Sequence, residues 1–154
     1  MALALHTPAP DFTANTDGGD SLTLSNFKGQ RVVLYFYPKD NTSGCTQQAC
    51  DFRDNMERIA AQGVTVIGVS PDNVKKHNKF KADFALNFKL VSDEDKSICE
   101  AYGVWVEKSM YGRKYMGVER TTFIIDAEGV ITHIFPKVKV PGHVDAVIAA
   151  LEGL

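Results

Sequence analysis

The stretch RVVLYFYPKDNTSGCTQQAC, residues 31–50, decides how the chain is read. Its first seven residues, Arg31 to Tyr37, form an unbroken apolar and aromatic run bounded by Gly29 and Pro38. That is the pattern of a short strand buried on both faces. Beyond Pro38 the chain turns polar through Lys39-Asp40-Asn41-Thr42-Ser43-Gly44. A helix is then predicted over residues 45–62, where Ala49, Phe52, Met56 and Ile59 recur at three- and four-residue spacing among Arg53, Glu57 and Arg58.

Outward from this unit, VTVIGVS (64–70) reads as a second buried strand, closed by Ser70-Pro71. A helix is predicted over 73–85, a short strand over 88–91, and a short helix from Asp95 to Tyr102 that ends at Gly103. RTTFIID (120–126) and VITHIF (130–135) form a hairpin about Ala127-Glu128-Gly129. A last helix over 142–152 turns Val144, Val147, Ile148 and Leu151 inward, and residues 8–30 read as an irregular or hairpin entry. Strand–helix–strand alternation implies a parallel pair with a right-handed crossover. The closing hairpin makes the sheet mixed. The expected fold is α/β in three layers, a mixed central sheet with helices on both faces, in one domain spanning 1–154. Ligands of such sheets bind beyond the carboxyl ends of the strands, which directs attention to the loop from Pro38 to Cys45.

Composition excludes several classes. The 154 residues are 44% hydrophobic and 23% charged, which is ordinary for a packed domain and rules out a disordered tail. Seventeen Lys and Arg against 19 Asp and Glu leave a net charge of −2, with no clustered basic excess for nucleic acid. No apolar run reaches the roughly 18 residues of a membrane span, and the start lacks a basic leader, so a cytoplasmic location is expected. Three cysteines are too few for a disulfide framework in a reducing compartment.

Cys45 stands at the predicted helix start, with Thr42 or Ser43 as its cap. Free N–H groups and a positive partial charge there favour thiolate over thiol, and the thiolate is the nucleophile. Cys50 follows five residues later, about 140° around the helix, with Cα atoms about 8–9 Å apart. A disulfide needs less than about 7 Å, so the pair can close only if the first turns unwind. Cys99, within Ile98-Cys99-Glu100-Ala101-Tyr102, reads as a buried small hydrophobe. Zinc is not expected, because structural sites want ligand pairs two to four residues apart, and His6, His77, His133 and His143 stand alone. No histidine stands at a readable spacing to act as base for Cys45, which argues against a cysteine protease or acyltransferase.

At this point the residues resemble a known family. Tyr35 through Thr46 looks like the active-site loop of peroxiredoxins, with the Pro-x-x-x-Thr-x-x-Cys spacing met by Pro38, Thr42 and Cys45. Cys50 matches the resolving position of the bacterioferritin comigratory protein (peroxiredoxin Q) subfamily. Ala9 to Phe12, Val69 to Asp72, Tyr102 to Trp105 and Glu119 to Asp126 also look like family segments. The resemblance implies a thioredoxin-like fold and thiol-dependent reduction of hydrogen peroxide and alkyl hydroperoxides, without cofactor or metal. It implies Cys45 as the peroxidatic cysteine and Thr42 as a hydrogen-bonding partner of thiolate and peroxide. Pro38 would cover the site, and Arg120 would hold the thiolate and polarise the peroxide. Thioredoxin or a glutaredoxin-like protein would recycle the disulfide, and the chain would act as a monomer.

Two positions depart from the family pattern: Ser43 replaces the usual Pro, and Gln48 the usual Glu. The charge effect of Gln48 has no sign from sequence alone. Two other readings use the same cysteine pair: a thiol-disulfide oxidoreductase acting on proteins, and a non-catalytic redox sensor. Cys-x₄-Cys disfavours the first.

Overall fold

The computed structural model describes residues 3–153. A five-stranded sheet runs in the order β5 (Lys89–Ser92), β4 (Val64–Ser70), β3 (Arg31–Phe36), β8 (Thr121–Ile125), β9 (Ile131–Phe135). β3 pairs in parallel with β4, and β4 with β5, while β8 is antiparallel to both β3 and β9. The sheet is therefore mixed, as the alternation and the closing hairpin require.

β3 is buried on both sides because its alternate residues feed two separate cores. Val33, Tyr35 and Tyr37 pack with Cys45, Ala49 and Phe52 of α1 (Ser43–Asp54), Ile59 of α2 (Met56–Ala60), Phe80 of α3 (Val74–Phe84) and Val147 and Leu151 of α5 (His143–Glu152). Val32, Leu34 and Phe36 pack on the other face with Ile98 and Cys99 of α4 (Ser97–Ala101), and with Leu22 and Leu24 from the entry segment. Three layers result, with the sheet in the middle. The Tyr35 ring stacks on Phe52 at 4.7 Å between centroids and lies so close over Gly68 that an added Cβ there would meet it at 3.1 Å. The entry segment is a short hairpin, β1 (Thr13–Asn15) with β2 (Ser21–Thr23).

Two expectations need correction. The helix predicted over 45–62 starts earlier, at Ser43, and breaks at Asn55. Asn55 takes φ −109° and ψ 8°, and its side-chain amide donates back to the Asp51 carbonyl at 2.8 Å. That local bond competes with the regular helical ladder. The second correction concerns residues 104–119, where no element was expected beyond the family-like segment at 102–105. They form a twisted hairpin of their own, β6 (Trp105–Met110) and β7 (Arg113–Val118), whose turn carries Tyr111 and Gly112 at φ 53° and 79°. Both positive φ values suit the two-residue turn of a tight hairpin. Among the described residues, no helix is long and apolar enough to cross a membrane.

Candidate active site

β3 ends at the middle of the sheet, and the chain must cross from there to α1. Tyr37 still belongs to the ladder, its N–H donating to Val69 O at 3.0 Å. Half-buried Pro38 follows, then Lys39 to Thr42. Thr42 sits in the extended region at the N-cap, and its carbonyl accepts the first helical bond from Thr46 N–H at 2.8 Å. Cys45 is the third residue of α1 and only 2% exposed. No acidic residue stands in that first turn to offset the positive helix end.

Arg120 arrives from the other side. It immediately precedes β8, whose Thr121 is in register with Phe36 at the carboxyl end of β3. Its backbone is held by Val138 N–H, which donates to Arg120 O at 2.8 Å. The guanidinium then forks: Nη1 donates to Gln48 Oε1 at 2.6 Å and Nη2 donates to Cys45 Sγ at 3.2 Å. Cys45 and Gln48 lie one turn apart on the same helix face, so one planar group spans both. Gln48 is fully buried, and its Nε2 has no hydrogen-bond partner among the described residues. The same holds for Tyr35 Oη, whose pKa is pushed well above the usual value by burial first and by the nearby Cys45 second. Gly44 lies under the guanidinium, where an added Cβ would touch Arg120 Nη2 at 3.4 Å.

The structure thus brings Cys45 and Arg120 together. Thr42 is placed differently from the expectation. Its hydroxyl is exposed and donates to Lys39 O at 2.9 Å rather than to the Cys45 thiol, and it makes no side-chain cap bond. The strand-to-helix loop folds back on itself there, and the hydroxyl's single proton is used within it. Cys50 is half-buried on the same unbroken helix, and both thiols are free. Cys99 is fully buried in the opposite core, where burial first and Asp93 second drive its thiol far up in pKa.

Sequence reasoning missed a polar cluster beneath the loop. Asp40, Asp72 and His77, all buried, converge within 4.8 Å. Their facing atoms are already bonded to one another and to Ser70 and Tyr37, so the cluster is a hydrogen-bonded network rather than an open ligand set. The residues stand as far as 37 positions apart, and nothing in the pattern links them.

The AhpC/TSA family profile matches residues 5–134. The chain is 52% identical over 151 residues to a putative peroxiredoxin bcp of Coxiella burnetii, covering 98% of this chain and all of that one. It is 45% identical over 154 residues to peroxiredoxin Bcp of Bacillus subtilis, covering 100% and 98%. Among solved structures, the bacterioferritin comigratory protein of Xanthomonas campestris, studied for alkyl peroxide reduction, superposes with TM-score 0.91 at 41% identity and 97% of each chain. A cysteine mutant of PrxQ from Xylella fastidiosa superposes with TM-score 0.94 at 36% identity, covering 99% and 98%.

Proposed function

The chain belongs to the AhpC/TSA family as a peroxiredoxin of the Bcp type, a thiol peroxidase with a thioredoxin-like fold, and on that premise we propose that Cys45 is the residue that attacks the peroxide. The observation that carries the assignment is the 3.2 Å bond from Arg120 Nη2 to Cys45 Sγ at the first turn of α1. A guanidinium and a helix N-terminus both stabilise negative charge on an atom held beside them. The thiolate attacks one peroxide oxygen, the O–O bond breaks, and the leaving oxygen departs as water or alcohol after taking a proton. Cys45 becomes a sulfenic acid. Arg120, pointed at the place where charge develops on oxygen, stabilises the transition state.

Cys50 then condenses with the sulfenic acid, releasing water and forming a disulfide. With α1 continuous from Ser43 to Asp54, this step requires its first turns to unwind. Thr42 orients the peroxide, its hydroxyl proton turning from the Lys39 carbonyl to the substrate. Pro38 shields the thiol from water. A dithiol protein of the thioredoxin or glutaredoxin kind restores the two thiols by exchange. Hydrogen peroxide and alkyl hydroperoxides are the substrates assigned here, and the chain works as a cytoplasmic monomer in one domain.

The test is direct. Reduced protein receives one equivalent of hydrogen peroxide, is quenched in acid, and is measured by intact mass and a non-reducing peptide map. Loss of two hydrogens with a linked Cys45–Cys50 peptide is the expected result. A stable added oxygen on Cys45 with Cys50 free removes Cys50 from the cycle, and an unreacted Cys45 removes the assignment.

A further inference from the structure

The loop between β3 and α1 is held at Asp40, and the most distant residue that holds it is His77 on α3. Asp40 is 6% exposed and His77 is fully buried. His77 Nδ1 lies 2.6 Å from Asp40 Oδ2, and Nε2 lies 2.9 Å from Val91 O in β5. A carbonyl only accepts, so Nε2 carries a hydrogen, and a proton is also shared between Nδ1 and the carboxylate. The Tyr37 hydroxyl donates to Asp40 Oδ1 at 2.7 Å. The Asp40 N–H donates to Asp72 Oδ2 at 2.8 Å, and the Ser70 hydroxyl donates to the same oxygen at 2.7 Å. Asp40 is thus tied to β3, to the turn after β4, to α3 and, through His77, to β5. Only the left-handed Asn41, at φ 62°, separates this anchor from the N-cap Thr42.

The titratable groups facing His77 are few. Asp40 is in contact and Asp72 stands close by. Lys76 Nζ lies beyond, 4.0 Å from Asp72 Oδ1, and Tyr37 faces Asp40 with a hydroxyl that burial and Asp40 keep protonated. Burial alone would strip the His77 proton. The Asp40 hydrogen bond and charge outweigh it, with help from Val91 O and Asp72, and the pKa is raised.

We propose that His77 is a positioning residue for the thiol chemistry: hydrogen-bonded to Asp40 at 2.6 Å, it pins the loop 38–42 and so governs how readily the first turns of α1 come undone between oxidation of Cys45 and capture by Cys50. This rests on the roles given to Cys45 and Cys50 above. With the pin in place, the wound helix keeps Cys45 under Arg120 for the first step. With the pin withdrawn, the wound state loses population, so the first step slows while the second accelerates. A loss of stability elsewhere in the fold changes neither.

The experiment compares the wild type with His77→Leu and Asp40→Asn. In Asp40→Asn the amide donates to a neutral imidazole, so the pin survives without charge. His77→Leu is expected to react with hydrogen peroxide at Cys45 about tenfold more slowly, as small misplacements of reacting groups do. Under excess peroxide, its ratio of Cys45–Cys50 disulfide to Cys45 sulfinic acid rises, read by mass after acid quench. Asp40→Asn stays near the wild type on both. Wild-type behaviour of His77→Leu on both readouts overturns the proposal, as does a slower first step with an unchanged ratio. The ring ¹⁵N spectrum of the wild type at pH 7 decides independently of whether His77→Leu folds. A hydrogen-bonded Nδ1 is expected, and an Nδ1 without a hydrogen bond overturns the pin. If wild-type Cys45 does not react at all, the functional reading fails, and the ring spectrum still judges the pin.

Discussion

Arg120 donates to the sulfur of Cys45 at 3.2 Å although the two residues stand 75 positions apart. They meet because β8 runs antiparallel to β3. The start of one strand then lies beside the end of the other, with Thr121 opposite Phe36. A parallel β8 would carry Arg120 to the opposite end of β3, away from Cys45. The reversal of direction within this mixed sheet is therefore what places the cation over the helix start.

Replacing Arg120 by Met removes both the countercharge and a donor aimed at the reacting oxygen. The second-order rate with hydrogen peroxide is expected to fall about 10²–10³-fold, the usual loss for one such donor. Stopped-flow competition against a reference peroxidase measures it. Arg120→Lys recovers part of the charge but not the fork that spans Cys45 and Gln48.

Gln48→Glu now has a sign. The amide is fully buried and bonded to Arg120 at 2.6 Å, so a carboxylate there would pair with the guanidinium and stand beside the thiol. Thiolate formation is disfavoured by a nearby negative charge. The expected result is slower peroxide reduction at neutral pH. Folding stability does not fall in step, because the change also deletes an unpartnered buried N–H₂ group. Thermal unfolding alongside the kinetics separates the two effects.

Two buried histidines tie stability to pH in opposite directions. Burial, with a smaller effect from Arg120, pushes His143 down to about 4. Its contribution is complete above the unfolded value of about 6.5 and is lost as pH falls toward 4, reaching of order 3 kcal/mol. His77 is raised, so its contribution is complete below about 6.5 and is lost as pH climbs through its folded value. Proton NMR of the ring hydrogens checks both. The His143 signal is expected to stay constant between pH 5 and 8, with its transition appearing only below.

Gly44→Ala tests the unwinding step. Alanine in place of glycine stabilises a helix by about 0.5–1 kcal/mol, and the new methyl only touches Arg120 Nη2 at 3.4 Å. A tighter first turn is expected to retain initial oxidation and to slow disulfide formation. Excess peroxide then converts more Cys45 to sulfinic acid than in the wild type, as quantified by intact mass.

Much of this was legible in the sequence where burial imposes a simple pattern. VTVIGVS matches β4 residue for residue, and Val144, Val147, Ile148 and Leu151 face inward as their spacing demands. The hairpin at 105–118 was missed because most of its residues meet solvent, so neither face shows an apolar alternation. Its Tyr111-Gly112 turn was the one available signal. The break at Asn55 depends on a side chain bonding back to Asp51, which periodicity does not register. Cys45 was legible from its place at a helix start, and Arg120 came only through family resemblance. The bond from the Thr42 hydroxyl to Lys39 and the Asp40–His77 pair were not foreseen, since the first depends on a rotamer and the second on a tertiary approach.

The break at Asn55 has a consequence for what the rest of the molecule can sense. Just before it, Arg53 is bolted to the end of α3 and the segment after it, its Nη1 donating to Phe84 O at 2.6 Å while Asn87 donates to Arg53 O at 3.3 Å. Asp40 clamps the chain upstream of the helix, and Arg53 clamps it downstream. A rearrangement of the cysteine pair, on the function proposed above, is expected to stay between those clamps and to change the surface there. A protein that must tell the oxidised form from the reduced one has to read it there.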